Sequence, residues 1–528
     1  MIPDRAVPVP VLEQEPPPVP PEALALHGAR LLDPATAVRL PGTPAPRSTA
    51  YVADTLLVGG DRADVDRSLA ALADVAKAAG LVLDVDPRAA RLEERVRDLL
   101  GDRARTPGRV VRFRMPDQGR TPVAPPDAWA LLQTLRAQSP AAAEGVGLEH
   151  LMGVTPFFNP HPFFNPHPFW NSHPAAEYGA PGTGGRAPVA LVQSPPARRP
   201  DAALTGRRPV VFVPDTGCGD HRWLTGGVVD RTPTCLGDPI GLTDAASDPE
   251  VHPVRLSPLT GELDPVAGHG TFISGLVHQV CPDADIVTAR VVQGDGYVPE
   301  GVVLRVLEQV WTLVALHRAD LVGGRPVDVV SLSVGYYPEA ADLVAGAALH
   351  DVIRALTDLG VAVVVAAGND ATSRPMVPAS FAAAPSGALP VVSVGALNPD
   401  GAVALFSNSG SWVRAWAPGA ALVSTLPASF DGSANASQAL PDPNAGRDRA
   451  TMDTDRYGTS PTIPAGTSVG GGFGTWSGTS FAGPVLAARV AQALLDATDG
   501  AGLPKTESTD AGVARAEVGL KIGLGESG

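Results

Sequence analysis

The sequence predicts a doubly wound α/β fold, a mostly parallel sheet with helices on both faces, preceded by a small α+β domain. From about residue 209 onward, short segments made almost wholly of apolar residues alternate along the chain with segments of helical periodicity. Such runs suit parallel strands that are covered on both faces, and strand, helix and strand in series are typical of an α/β layer. The predicted strands are Val210–Val213, Ile286–Val292, Val327–Leu332, Val361–Ala366 and Val391–Val394, and helices between them include Val302–Leu316 and Leu343–Leu359.

Residues 49–139 predict the small α+β domain, because short apolar runs alternate there with amphipathic stretches. The Pro-rich residues 1–48 before it are expected to be extended or disordered. The predicted strands are Tyr51–Val58, Leu81–Val85 and Val110–Phe113, and the predicted helices are Arg62–Ala79, Leu92–Leu100 and Asp127–Arg136.

A predicted linker, residues 140–204, contains a repeat. Residues 156–161 and 162–167 both read Pro-Phe-Phe-Asn-Pro-His, and residues 168–173 read Pro-Phe-Trp-Asn-Ser-His. The prolines exclude a helix and most strands. The recurring histidines raise a metal-binding hypothesis, but no acidic or Cys ligands are interleaved. We favour an aromatic segment that docks on the protein's own surface or on a partner, and we assign no metal.

The charge balance excludes a general attraction to nucleic acid. Forty Lys and Arg face 55 Asp and Glu, so the net charge is −15, and a chain this acidic is repelled by polyanions. No apolar stretch is long enough for a membrane-spanning helix or a secretory signal. We therefore expect a cytoplasmic location, with a non-standard export route as the alternative. Reduced thiols are expected for the three cysteines, although a Cys218–Cys235 bridge remains open.

Four polar motifs lie where a doubly wound sheet gathers its functional groups, at the carboxyl ends of strands. Asp215 follows the first strand of the predicted sheet, and Asn369 follows the strand that ends at Ala366. His269, between two glycines, opens a predicted helix. Ser480 opens another, which runs through Leu495.

An acid, an imidazole and a hydroxyl in such positions can carry out acyl transfer. The Ser480 hydroxyl needs a base to take its proton, and a His side chain suits that task near neutral pH. A carboxylate such as Asp215 then orients the imidazole and stabilises its charged form. The backbone N–H of Ser480 and the side-chain amide of Asn369 are candidates for binding the oxyanion.

Asp-Thr-Gly at Asp215, Gly-His-Gly-Thr at His269 and Gly-Thr-Ser-x-Ala-x-Pro at Ser480, in this order, resemble the motifs of the subtilisin-like serine peptidases, the subtilases. Ala-Ala-Gly-Asn, ending at Asn369, lies between the second and third motifs. The resemblance covers about residues 205–498. It implies a serine endopeptidase with Asp215, His269 and Ser480 as the catalytic triad. An enzyme of this kind is expected to need no cofactor.

The resemblance also implies a substrate groove. Ser333-Val334-Gly335 is similar to the strand that pairs with extended substrate in this family. Ala366, Ala367 and Gly368 are similar to one wall of the primary specificity pocket, and their small size implies room for a large side chain. Tyr336 departs from the family pattern, because many members have a second Gly there, so we expect a narrower or differently lined groove. We identify no calcium ligands.

The expected organisation thus places a peptidase domain at residues 205–498, with an inserted loop at 428–475 and a flexible tail at 499–528. Because subtilases often carry a small prodomain, residues 49–139 are interpreted as a propeptide-like inhibitor that acts within the chain; the alternative is a permanently attached adaptor. The expected partner is a protein or peptide substrate. A catalytically silent protein of this fold that binds peptides or serves as a scaffold is the alternative function.

Overall fold

The computed structural model describes residues 15, 18–116, 125–154, 186–189, 194–256, 263–340, 348–385, 387–430, 432–433, 456–457, 472–498 and 501–525. The repeat at 156–173 lies outside the described residues, as does most of the predicted loop 428–475, so predictions about them stay predictions.

The helices and strands alternate along most of the described chain. None of the helices in these ranges is long and apolar enough to cross a bilayer. The strands are β1 Ala29–Leu32, β2 Thr49–Val58, β3 Val82–Val85, β4 Arg109–Arg114, β5 Val146–Val154, β6 Ala187–Pro188, β7 Val210–Asp215, β8 Val229–Asp230, β9 Thr234–Cys235, β10 Asp238–Pro239, β11 Asp285–Arg290, β12 Tyr297–Pro299, β13 Val329–Leu332, β14 Val334–Gly335, β15 Ala362–Ala366, β16 Val392–Leu397, β17 Ala415–Pro418, β18 Leu422–Thr425, β19 Gly432–Ser433, β20 Arg456–Tyr457 and β21 Phe473–Trp476. The α-helices are α1 Pro21–Leu26, α2 Arg62–Ala78, α3 Pro87–Leu100, α4 Ala128–Gln138, α5 Pro140–Ala143, α6 His269–Val280, α7 Glu300–Arg318, α8 Ala348–Asp358, α9 Thr479–Asp496 and α10 Thr509–Leu524.

The main sheet has the strand order β17-β16-β15-β13-β7-β11-β8, and every pairing in it is parallel. Its strands are buried on both faces. Along β7, Phe212 packs into the core that contains α7 and α8, whereas Val211 and Val213 pack into the core that contains α6 and α9. This alternation requires apolar residues at every position, as the runs predicted. The predicted doubly wound α/β fold is confirmed.

The N-terminal domain is a second sheet with antiparallel pairing, in the order β5-β2-β4-β3 with β1 on β2. Helices α2 and α4 pack on it through a separate core that includes Leu72, Phe113 and Leu132. The predicted strand and helix alternation matches this arrangement. However, the domain runs past residue 139, because β5, which the sequence analysis did not predict, is one of its strands.

Strand β5 also joins the N-terminal domain to the α/β domain that contains the main sheet. Its first half pairs with β2, and its second half runs antiparallel between β12 and β14. At Gly153 the strand has Tyr297 on one side and Gly335 on the other. Although the β2–β5 pairing shifts register between Tyr51 and Leu56, β5 pairs with strands of both domains, so the two domains share one sheet.

The structure differs from the expected disorder at both ends. Within the N-terminal arm, residues 21–32 form α1 and β1, and His27 contacts Asp295 at 2.8 Å. Proline is compatible with the first turn of a helix, and Pro21 opens α1. The expected flexible tail contains α10, which buries Ala516 and Leu520 against the core that contains α9.

A buried charge cluster ties this tail to the main sheet. Asp328 accepts hydrogen bonds from Arg207 at 2.6 and 2.8 Å, from Arg515 at 2.9 Å and from the backbone N–H of Val210 at 2.8 Å. Although burial alone raises the pKa of the Asp328 carboxyl, the two arginines hold the pKa well below its usual range. The cluster therefore depends on a charged carboxylate.

Cys218, Cys235 and Cys281 are free thiols. The structure therefore has no disulfide bond between Cys218 and Cys235, which the sequence analysis had left open. Burial raises the pKa of the Cys218 thiol to about 11, and the pKa of the other two thiols to about 12. All three are therefore poor nucleophiles at neutral pH.

Replacing Asp328 by Asn should lower the free energy of unfolding by about 3 kcal/mol, because Arg207 and Arg515 lose one of the two carboxylates that pair with them and keep only Glu507. The control is Asp285→Asn, since Asp285 pairs with Arg198 while 43% of its side chain is exposed, and its loss should cost under about 1 kcal/mol. Urea unfolding of both variants measures the difference. Equal losses would contradict the assigned role of Asp328.

Candidate active site

Asp215 is the last residue of β7, the central strand whose carboxyl end faces the site. It is buried, and its Oδ1 accepts hydrogen bonds from the backbone N–H of Thr216 at 2.8 Å and from the Thr216 hydroxyl at 3.2 Å. The same oxygen lies 2.7 Å from Nδ1 of His269. The structure thus brings together the acid and the imidazole that the sequence singled out.

His269 is the first residue of α6, and two close approaches explain the glycines beside it. Gly268 has φ +81°, and a Cβ there would lie 2.7 Å from Leu426 and 2.9 Å from Phe430. A Cβ on Gly270 would lie 2.0 Å from the carbonyl oxygen of Gly217, in the loop after Asp215. Glycine on both sides therefore lets the start of the helix come close enough for His269 to reach Asp215.

The imidazole of His269 is held in an aromatic shell. Its ring centroid lies 5.1 Å from that of Phe481 and 5.5 Å from that of Trp476. Because Nδ1 faces Asp215, Nε2 faces the opposite way, and it has no hydrogen-bond partner among the described residues. Phe481 directly follows Ser480 in α9, so the residue next to the serine packs on the imidazole.

Ser480 lies in the first turn of α9, where backbone N–H groups point out of the helix end. Its carbonyl oxygen accepts a hydrogen bond from the Ser333 hydroxyl at 3.2 Å. Oδ1 of Asn369 accepts from the backbone N–H of Thr479 at 2.8 Å. The Nδ2 of Asn369 therefore faces away from Thr479, and within the described chain it is buried without an acceptor. The orientation of this amide suits donation to a developing oxyanion.

The predicted groove strand Ser333-Val334-Gly335 is paired with the chain's own β5. Val334 lies opposite Val154, and Gly335 lies opposite Gly153. Val154 also donates its backbone N–H to the carbonyl of Gly296 at 2.8 Å. The edge that the sequence assigned to a substrate strand is thus occupied by residues 151–154. Ser480 and His269 are both 0% exposed.

The predicted pocket wall, Ala366 to Gly368, lies beside the side chain of Met376. A Cβ on Gly368 would lie 2.6 Å from Sδ of Met376, and a Cβ on Gly335 would lie 2.1 Å from Cε of the same side chain. Met376 is buried and lies between the two walls. Met376 thus occupies space between Gly335 and Gly368, and the room for a large side chain that the small wall residues suggested stays a prediction.

Tyr336 lines the groove, as its departure from the family pattern suggested. Its backbone pairs with Val377 in both directions at 2.9 Å. Its ring stacks on His150 of β5 at 3.9 Å. The tyrosine thus gives the groove a flat aromatic surface beside the inserted strand.

Glu250 belongs to the site, and sequence reasoning missed it. Its carboxylate accepts from the hydroxyls of Thr216 and Thr271, each at 2.5 Å, and from the backbone N–H of Gly270 at 3.2 Å. It therefore ties the loop after Asp215 to the helix start beside His269. The only signal in the sequence was an acidic residue somewhere between the two motifs. Burial, which outweighs these hydrogen bonds, raises the pKa of Glu250 to about 7.

The model of the subtilase family matches residues 206–508, more than half of the chain. The chain belongs to the subtilase family. It is 27% identical over 252 residues to the "Intracellular serine protease" of Paenibacillus polymyxa, which covers 44% of this chain and 64% of that protein. It is also 27% identical over 169 residues to the "Minor extracellular protease Epr" of Bacillus subtilis, which covers 30% of this chain and 22% of that protein. The chain thus spans less than two thirds of the length of either curated relative.

Two solved structures resemble the fold. Fervidolysin from Fervidobacterium pennivorans, described as a keratinolytic enzyme related to subtilisin, is 18% identical to this chain, with a TM-score of 0.43. The match covers 89% of this chain and 59% of the fervidolysin chain. The prenylagaramide maturation protease PagA is 17% identical to this chain, with a TM-score of 0.36. The match covers 57% of this chain and 80% of the PagA chain.

Glu250→Gln should remove a pH dependence of stability. The folded-state pKa, about 7, lies above the ordinary value of 4.5, so the folded state binds this proton more tightly than the unfolded state does. The wild type should therefore lose stability as pH rises from 4.5 to 7, on the order of 3 kcal/mol, relative to the variant. Urea unfolding of both proteins across this range measures the difference.

The exposed Glu94→Gln, on α3, is the matched control and should follow the wild type at every pH. A constant difference between wild type and Glu250→Gln from pH 4.5 to 7 would contradict the assignment.

Proposed function

We propose that this chain is a serine endopeptidase in which Asp215, His269 and Ser480 form the catalytic triad. One observation carries the proposal. Nδ1 of His269 lies 2.7 Å from Asp215, its Nε2 is buried without a hydrogen-bond partner among the described residues, and Phe481, the residue after Ser480, packs on the same ring. An imidazole held in this orientation can accept a proton from a serine hydroxyl.

In the proposed reaction, Oγ of Ser480 attacks a peptide carbonyl carbon while Nε2 of His269 takes the hydroxyl proton. The resulting imidazolium is stabilised by Asp215, and it then protonates the departing amine as the C–N bond breaks. Water, deprotonated by the same nitrogen, attacks the acyl-enzyme. This second attack releases the carboxylate product and restores the serine.

The developing oxyanion would be bound by Nδ2 of Asn369 and the backbone N–H of Ser480. The hydrogen bond from Thr479 to Oδ1 fixes the Asn369 amide before substrate arrives. A donor that is already oriented needs no reorganisation in the transition state, and losing one such donor typically costs about 10²–10³ in turnover.

Peptide substrates would bind as a strand in the position that β5 occupies. The main chain of β12 and β14 offers hydrogen bonds on both sides of that position. The same geometry supports inhibition within the chain, with residues 151–154 as the blocking segment and residues 49–139 as the rest of the inhibitory domain. The sequence had placed the inhibitor within residues 49–139 alone.

The residue at the scissile bond would be small. Met376 fills the space between Gly335 and Gly368, so a large side chain would meet its Sδ and Cε atoms. We therefore propose Ala or Ser at this position.

A fluorophosphonate probe tests the proposed nucleophile. We expect slow labelling of the full chain, faster labelling of a chain that begins at residue 156, and none in either protein after Ser480→Ala. The shortened chain keeps residues 186–203, because Arg198 and Arg199 pair with Asp285 and Asp283 of the peptidase part. Residues 1–154 are supplied as a separate polypeptide during expression to assist folding.

The matched control is Ser477→Ala, three residues before Ser480, which should label like its parent. If the shortened chain is folded by circular dichroism and still does not react, the peptidase proposal fails. The alternative of a catalytically silent peptide-binding protein would then stand.

Met376→Ala should widen the specificity of the shortened chain. Removing the thioether leaves space between Gly335 and Gly368, so kcat/KM for peptides with Phe or Leu at the scissile residue should rise at least about tenfold relative to Ala. The control is Leu405→Ala, because Leu405 belongs to the shortened chain and 69% of it is exposed. An unchanged preference in the Met376 variant would show that this side chain does not set the size of the pocket.

A further inference from the structure

A buried cluster of charged groups lies where β5 crosses the groove. Nδ1 of His150 is 2.9 Å from Oε2 of Glu300, and its Nε2 is 2.8 Å from Oε2 of Glu339. The ring stacks on Tyr336 with 11° between the planes. The Tyr336 hydroxyl donates to the other oxygen of Glu300 at 3.3 Å. All four residues are at most 9% exposed.

The cluster requires a cation in the place of His150. Two carboxylates accept from the two ring nitrogens, and only the doubly protonated imidazolium can donate to both. Burial by itself lowers the pKa of His150, but the two glutamates outweigh it and raise the pKa to about 9. For Glu339, burial acts in the opposite direction and raises the pKa. The charge of His150 outweighs burial, so the pKa of Glu339 lies below its usual value.

The residues of this cluster come from both domains. Glu300 opens α7, and Glu339 and Tyr336 follow β14, so three of the four residues belong to the peptidase part. Only His150 comes from the N-terminal domain. A strand that replaces β5 would leave two buried carboxylates facing its own side chain at this position.

The position is set by the strand register. Side chains two residues apart lie on the same face of a strand, so His150 shares a face with Met152 and Val154. Met152 is fully buried in the core that contains Val298 and Val334, and Val154 pairs with Val334 next to Ser333. A substrate strand in this register would place one side chain at the cluster, four residues before the one at Val154.

Resting on the proposed peptidase function, we propose that Glu300, Glu339 and Tyr336 form a substrate subsite selective for a cationic side chain, which His150 occupies in the intact chain. The selected substrates carry a histidine or lysine at this position. Neutral residues bind poorly because they leave the two buried carboxylates uncompensated, and an acidic residue adds a third negative charge. The tyrosine ring provides a face on which a cation stacks.

The first experiment uses the full chain and does not require a reactive serine. Hydrogen exchange of peptides covering Val146–Val154 is measured by mass spectrometry in wild type, His150→Gln, Glu339→Gln and the double variant. Each single change should speed exchange at least about tenfold, because it leaves a buried charge without its partner. In the double variant, the fold-increase in exchange rate should be smaller than the product of the fold-increases in the two single variants. The reason is that both members of the His150–Glu339 pair are then neutral.

Two controls make this result specific. The exposed His252→Gln should exchange like wild type, and peptides covering Val210–Asp215 should stay protected in every variant, which excludes general unfolding. Wild-type exchange of β5 in both single variants, or single effects that simply multiply, would overturn the proposal.

The second experiment measures selectivity in the purified protein, whether intact or self-processed. Fluorogenic amides of residues 148–155 carry His, Lys, Gln or Leu at the position of His150. The amide follows residue 155 because in this register that residue would face Ser333, which contacts Ser480. The His and Lys peptides should exceed the Gln peptide in kcat/KM at least about tenfold, and this ratio should fall to about one in the Glu300→Gln, Glu339→Gln double variant.

The outcomes separate the two proposals. Equal hydrolysis of all four peptides would overturn the cationic subsite while leaving the peptidase intact. If no peptide is hydrolysed and Ser480 does not label, the peptidase proposal fails, and the exchange experiment alone decides whether the cluster demands a cation.

Discussion

The main-chain hydrogen bonding of strand β5 is the constraint on which the closed arrangement of this molecule depends. A strand inside a sheet has its N–H and C=O groups paired on both sides, and an edge strand leaves one row unpaired. At Gly153, β5 is interior, with Tyr297 and Gly335 as its neighbours. The backbone of the groove is therefore satisfied by the chain itself. Any peptide that enters must first displace β5, and must then offer the same pattern of donors and acceptors.

The site beneath this strand is held together by short polar links between segments far apart in sequence. Asp215 contacts His269, Glu250 joins the loops beside both of them, and Asn369 accepts from the backbone N–H of Thr479. These links run between the ends of sheet strands and the starts of two helices. The packed α/β layer fixes the positions of those ends, so the side chains need little rearrangement to act together. Such pre-orientation is the main source of catalytic power in sites of this type.

Under the proposed function, the groove would select substrates in two ways along one strand position. Near Ser480, Met376 would restrict volume, because it occupies the space between two glycines. Further along, Glu300 and Glu339 would restrict charge, because they are buried on either side of the position that His150 holds. The chain's own β5 meets the second requirement with His150. A strand that satisfies both requirements and stays attached is an effective occupant, since attachment keeps its local concentration high.

The sequence by itself determined the layer architecture and the chemistry of the site. Near-continuous apolar runs require a sheet buried on both faces, and polar motifs with glycines require close approaches at the strand ends. Both follow from local patterns that one stretch of chain carries. Tertiary structure decided the rest, because those features depend on which distant segments meet. Glu250 stands in no motif and acquires its place only through Thr216, Thr271 and Gly270. The walls at Ala366 to Gly368 consist of small residues, and only the folded structure shows Met376 packed beside them. Residues 21–32 of the Pro-rich arm form α1 and β1, and Ala23 packs there against Leu151 and Tyr297. The role of β5 follows from an edge that only the folded peptidase part presents, so no local pattern in residues 146–154 could have revealed it.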